Sequence, residues 1–268
     1  MLIIRSSQSA RAGFAAGRPP GAVSTAGWPT GGWLVAALLA LTLALAGCTA
    51  ARPAAPPAER AAPAGSYTTT YVAIGASDAF GMGTDDPPRQ SWPSVLAGTL
   101  GPRVHLINLG VPGTTTAQAL QTELPIAMDA RPDMVTVWLG VNDLLDGVPL
   151  TSYAAQLRQL LTTLRQHTQA RIVAGNLPDL TYLPLFYGAD TTTLRATIRH
   201  WNDAIAAAAR ASGVTLVDLY SAWSELARHP EYISGDGFHP SAAGARRLAD
   251  LFAAALRATP TAPAPSHT

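Results

Sequence analysis

Cysteine occurs once in the 268 residues, at position 48, and lysine not at all. The lone Cys48 excludes an intrachain disulfide and a zinc site built on cysteines. All 18 basic residues are arginine, a compositional bias of the chain rather than a site. No His-x-x-x-His pair or acidic cluster points to a metal, and no glycine-rich phosphate loop points to a nucleotide. Neither a metal nor a cofactor is therefore expected. Net charge is small as well. Arg5, Arg11 and Arg18 precede Cys48, and no acidic residue stands there. From Cys48 onward the chain carries 15 arginines against 17 acidic residues, a net of −2. A body so near neutrality gives no electrostatic reason to expect a nucleic-acid partner.

Long apolar runs are missing too, with one exception. Trp33 to Ala46 form a 14-residue stretch broken only by Thr42. Spanning a bilayer takes roughly 20 apolar residues. The run is short for a membrane anchor and typical of a signal core. It ends in Leu45-Ala46-Gly47-Cys48. This segment resembles a bacterial lipoprotein signal peptide, in which a box of small residues precedes a cysteine that is lipidated and becomes the new N-terminus. The resemblance implies a signal peptide over 1–47, a palmitate-bearing anchor at Cys48, and an exported protein held at a membrane of the cell envelope. The 32 residues before the run are long and weakly basic for such a signal.

What is there in quantity is apolar residue, 48% of the chain, enough for a sizeable core. Residues 48–66 are rich in Ala and Pro and read as a semi-extended tether. Residues 259–268 have a similar composition and read as a disordered tail. Residues 67–258 between them suit one domain. Within it, short apolar runs at Tyr71–Ile74, Val104–Asn108, Met134–Leu139, Arg171–Ala174 and Thr215–Leu219 alternate with helical patterns. Leu150–His167 carries Leu157, Leu160, Leu161 and Leu164 at helical spacing, and Thr191–Ala211 carries Leu194, Ile198, Trp201, Ile205 and Ala209. Ala242–Leu256 closes the fold, with Ser241 as its expected cap. This alternation predicts a five-stranded parallel sheet covered on both faces, an α/β/α sandwich. Its working site then lies beyond the carboxyl ends of the strands.

Two distant segments carry chemistry. Gly75-Ala76-Ser77-Asp78 follows the first strand, and Asp236-Gly237-Phe238-His239-Pro240 precedes the last helix. A serine hydroxyl is a poor nucleophile until a base takes its proton, and an imidazole base needs a third group to fix its tautomer. Serine, histidine and aspartate in this arrangement point to acyl transfer through a serine ester. Two more blocks stand between them: Asn108-Leu109-Gly110-Val111-Pro112-Gly113 after the second strand, and Gly140-Val141-Asn142-Asp143 after the third. With four such blocks in order, residues 70–257 resemble the SGNH hydrolases, also called GDSL lipases and esterases. The resemblance implies a flavodoxin-like sandwich. It implies Ser77 as nucleophile, His239 as general base and then acid, and Asp236 as its orienting partner. It also implies an oxyanion hole of the Ser77 and Gly110 backbone N–H groups and the Asn142 amide. One departure stands out. The family usually has aspartate before the serine and an aliphatic residue after it; here these are Ala76 and Asp78.

Each block also has a plainer reading. Ser77 and Asn142-Asp143 suit helix caps, and Gly110 and Gly113 suit turns. The remaining histidines, His105, His167, His200, His229 and His267, lack partners at useful spacing. The apolar, proline-stiffened loop after the fourth strand is either a pocket lining or a loop packed on the body, with Leu180, Tyr182, Leu185 and Phe186 as candidate substrate contacts. The expected substrate is a small-molecule, glycan or lipid ester, handled by a monomer. The alternative is a lipoprotein that kept the fold and binds a ligand without turnover.

Overall fold

A computed structural model describes residues 67–259. The expected signal peptide, Cys48, the tether and residues 260–268 lie outside the described residues. Five parallel strands form one sheet: β1 (Thr69–Gly75), β2 (Val104–Asn108), β3 (Met134–Trp138), β4 (Arg171–Gly175) and β5 (Thr215–Val217), in the order β2-β1-β3-β4-β5. Five longer helices cover it: α1 (Trp92–Leu100), α2 (Thr116–Asp129), α3 (Leu150–His167), α4 (Thr191–Ala211) and α5 (Ala242–Ala258). α1 and α5 pack on each other on one face, while α2, α3 and α4 form a row on the other. Right-handed crossovers require this split: the chain leaves β1 in one direction to reach β2 and steps the opposite way for every later strand. The result is the expected α/β/α sandwich.

The central strands are buried on both faces, which is why Tyr71–Ile74 and Met134–Val137 read as unbroken runs rather than alternating ones. Between the sheet and the α1/α5 layer, Trp92 stacks on Phe252 at 4.3 Å between ring centroids, with Trp138 edge-on to Trp92. On the other face Tyr153 of α3 meets Trp201 of α4 at 4.5 Å. Residues at helical spacing in α3 and α4, among them Leu157, Leu164, Ile198 and Ile205, all face inward.

Several boundaries differ from the sequence reading: β1 extends over Thr69–Gly75, β3 stops at Trp138 and β4 reaches Gly175. β5 ends at Val217 rather than Leu219, because Asp218 caps a helical turn, Leu219–Ala222, accepting from the Ser221 N–H at 3.2 Å and its hydroxyl at 2.6 Å. α5 runs on to Ala258. Its cap is Ser241 as expected, accepting from the N–H groups of Ala243 and Gly244. The sequence reading did not name α1 and α2. α2 opens with a capping box, Thr115 with Gln118, and carries Pro125 inside it. Among the described residues no helix is long and apolar enough to cross a membrane.

Candidate active site

β1 delivers Ser77 to the carboxyl edge of the sheet. Ala76 leaves the strand, and Ser77 becomes the first residue of a single helical turn, Ser77–Phe80. Ser77 is thus inside the turn rather than its cap, and Ala76 offers no side-chain cap. The Ser77 N–H is one of the donors a helix start leaves free, and no described residue accepts from it. The serine is 6% exposed. Asn108 clamps the turn from the side, donating its amide to the Ala79 carbonyl at 2.6 Å.

Asp236 and His239 meet within one tight turn. Asp236 Oδ2 lies 2.7 Å from His239 Nδ1, while Oδ1 accepts from the Ser234 hydroxyl at 2.7 Å and the N–H groups of Phe238 and His239 at 2.8 and 2.9 Å. Partial burial works to raise the Asp236 pKa. The hydrogen bonds from His239, Phe238 and Ser234 outweigh it and hold the carboxyl well below the usual range. An ionised carboxylate only accepts, so the Nδ1 proton donates to it and Nε2 keeps its lone pair. The imidazole is mostly covered, 12% exposed, and Asp236 is 43% exposed. The turn is pinned at both ends by the Ile233–Pro240 bridge.

Ser77, Asp78 and Asn142 line one hollow with Trp138 and Phe238, so the serine's turn and the histidine's turn share a cavity wall. Asn142 donates one amide hydrogen to the Thr114 carbonyl at 3.0 Å. Its neighbour Asp143 is fully buried and accepts from the Thr116 N–H and hydroxyl at 3.0–3.1 Å. Burial pushes the Asp143 carboxyl up, and the Thr116 bonds pull it back. Asp143 is therefore a long-range fastener between the third block and the start of α2, not a cap of its own segment.

Gly110 needs correction as an oxyanion donor. Its N–H is held by Asn108 Oδ1 at 3.1 Å. It does not line the hollow beside Ser77 but a separate one with Phe80, Pro87 and Leu106. A Cβ here would stand 2.6 Å from the Phe80 nitrogen and 2.9 Å from the Ala76 carbonyl oxygen. Glycine at 110 is thus required by close packing on the back of the serine turn. Gly113 differs. It takes φ +82 in a turn closed by the Thr114 N–H on the Val111 carbonyl, and no described residue accepts from its N–H.

A carboxylate from another element reaches the end of β1 just before Ala76. Glu123 of α2, 2% exposed, accepts the Gly75 N–H at 2.9 Å, beneath the serine turn. Its Oε1 is buried without a partner. Burial pushes its carboxyl up to about 7, against the Gly75 bond and the neighbouring Thr114 side chain. Neither Glu123 nor Asn108 was singled out from sequence.

Of the four loop residues proposed as substrate contacts, the structure brings one to the site. Leu180 is buried and lines a second hollow beside Asp78, together with Pro178 and Leu183. Tyr182 lies under the Arg195 guanidinium, Phe186 reaches toward Phe238, and Leu185 is exposed. His229 has a partner after all, Glu231 at 2.9 Å, in an exposed pair beside Tyr232.

The model of the GDSL-like Lipase/Acylhydrolase family matches residues 73–247. An arylesterase of Vibrio mimicus is 27% identical over 183 residues, which span 67% of this chain and 84% of that protein. Among solved structures, LAE5, an alpha/beta hydrolase enzyme from the metagenome of Lake Arreo, superposes with a TM-score of 0.59 at 21% identity, covering 72% of this chain and 96% of its own. TesA gives 0.57 at 23% identity, covering 71% and 99%. The acetylxylan esterase Axe2 of Geobacillus stearothermophilus gives 0.58 at 20% identity, covering 71% and 94%. At such identities these structures speak for the fold.

Proposed function

The chain belongs to the GDSL-like lipase and acylhydrolase family, and from that premise we propose that it hydrolyses carboxylic esters through an acyl-enzyme on Ser77. The observation that carries the reading is the Asp236–His239 pair, with Nδ1 engaged and Nε2 left as the base, in a turn that shares a cavity wall with the serine. His239 Nε2 takes the Ser77 proton as Oγ attacks the ester carbonyl. The same proton then passes to the departing alkoxide, and a water repeats the sequence to release the acid. Asp236 stays ionised and stabilises the imidazolium. Negative charge on the tetrahedral oxygen is met by the Ser77 N–H and the Asn142 amide hydrogen not given to Thr114. Gly113 replaces Gly110 as the third donor in this reading. Its N–H is unengaged, and it stands next to Thr114, whose carbonyl Asn142 holds.

The experiment is hydrolysis of p-nitrophenyl esters of increasing acyl length by residues 66–268, with Ser77→Ala alongside. Turnover that vanishes in the variant, with the circular dichroism spectrum unchanged, supports the reading. Turnover that survives in Ser77→Ala sinks it. The anchored, exported state of the protein is a separate proposal resting on residues 33–48. It expects Cys48→Ala to release the protein from the membrane fraction, and unchanged retention overturns it.

A further inference from the structure

Asp78 follows the nucleophile where the family usually carries an aliphatic side chain. It is half-buried and lines two adjoining hollows. The first holds Ser77 and Asn142. The second is walled by Leu180, Leu183 and Trp223, and the two share Asp78, Trp138, Val141 and Phe238. They form one groove with a carboxylate at the junction. No side chain of the described residues hydrogen-bonds that carboxylate; its own backbone N–H does. Trp223 is buried as well, and its indole N–H has no acceptor. Every other side chain lining the second hollow is apolar.

A carboxylate that no protein side chain satisfies, set among apolar walls, is left to solvent or to a ligand. The Gly75 N–H beneath the serine turn is already held by Glu123 and does not engage Asp78. Burial pushes the Asp78 carboxyl up to about 6, with the His239 charge opposing, so it is mainly ionised at neutral pH and accepts hydrogen bonds. The two hollows hold about 10 and 20 Å³, room for a single small polar group rather than a ring or a chain. Aromatic walls at Trp138, Trp223 and Phe238 suit the carbon that carries such a group.

We propose that this groove is a substrate subsite for a hydrogen-bond-donating group, hydroxyl or ammonium, and that Asp78 is the residue selecting it. The inference rests on Ser77 being the nucleophile of the adjoining hollow. An ester bearing a donor at that depth satisfies Asp78, whereas its hydrocarbon isostere leaves a desolvated carboxylate unpaired. A site built to hydrogen-bond a substrate group rejects the analogue lacking it far more strongly than an apolar pocket rejects a misfit methylene.

The test is a set of kcat/KM ratios. For the alcohol side, 4-(hydroxymethyl)phenyl acetate and 4-(aminomethyl)phenyl acetate are each compared with 4-ethylphenyl acetate. For the acyl side, phenyl 3-hydroxybutanoate and phenyl 3-aminobutanoate are each compared with phenyl 3-methylbutanoate. In the unmodified protein at least one side favours a donor by about tenfold or more. Asp78→Leu, the family-like residue, reverses that ratio. Asp78→Asn keeps part of a hydroxyl preference, through its amide oxygen, and loses an ammonium preference, which tells the two donors apart. Because each ratio is taken within one variant, a general loss of rate does not disturb it, and the asparagine variant serves if the leucine variant fails to fold. No preference on either side, or one unmoved by both substitutions, overturns the proposal while leaving the Ser77→Ala result to judge the nucleophile.

Discussion

Glu123 Oε2 accepts the Gly75 N–H at 2.9 Å, two residues before Ser77 and 48 residues away in sequence. The carboxyl belongs to a helix on the face opposite α1 and α5, so the serine turn is anchored through the sheet rather than by its own side chains. Its pKa of about 7 against an ordinary 4.5 means that the folded chain holds this proton more tightly than the unfolded chain does. Stability contributed by the protonated form is therefore complete at low pH and falls as pH rises from about 4.5 to about 7. The expected loss is of order 3 kcal/mol. Urea unfolding between pH 4.5 and 8 checks it. Glu123→Gln flattens the profile, and equal slopes in the two proteins count against this role.

Asp236→Asn keeps an acceptor for the Phe238 and His239 N–H groups, so the turn survives. It replaces the carboxylate that fixes the imidazole tautomer. The expected fall in kcat is on the order of 10³–10⁴, as for other triads that lose the orienting carboxylate. The melting temperature falls modestly at neutral pH, because the charged pair's contribution goes with the carboxylate while its exposure keeps that contribution small. In the parent, stability from this pair is present above the unfolded carboxylate pKa and is lost as pH falls toward the depressed folded value. A variant within tenfold of the parent's kcat removes Asp236 from the mechanism.

Asn142→Ala deletes both the amide donor and the hold on Thr114. Loss of one oxyanion donor lowers kcat by about 10²–10³ with KM little changed. Steady-state kinetics on one activated ester distinguishes this from a mispositioned loop, which raises KM as well.

Gly110 and Gly113 separate packing from exposure. Gly110→Ala brings a methyl against two backbone atoms that cannot yield, and costs about 1–3 kcal/mol. Gly113→Ala meets nothing within 4 Å and pays only for its positive φ, about 1 kcal/mol. Thermal melts of the two variants rank them. Equal melting temperatures contradict the packing role of Gly110.

Sequence patterns revealed the sheet because its strands are short apolar runs whose character needs no tertiary information. α3 and α4 were legible because their buried residues recur at helical spacing. α1 and α2 were harder. α1 is short and carries Pro93, and α2 has Pro125 in its interior. The pairing of Asp236 with His239 was readable as a spacing of three residues. The role of Gly110 was not, since a glycine that donates to a substrate and one that packs on a turn look alike until the partner of the N–H is known. Glu123, Asp143 and Asn108 act on residues 27 to 48 positions away, and one sequence carries no record of such pairs.

The local completeness of the 236–239 turn has a consequence for how activity is acquired. Aspartate and histidine find each other within four residues, a contact that forms quickly and needs no sheet. The serine comes from the other end of the domain and is placed by long-range fasteners. The acid–base pair can thus exist in a chain that is not yet an enzyme. Turnover reports the closing of the last non-local contacts, and its reappearance on refolding marks the moment when the two ends of the domain dock.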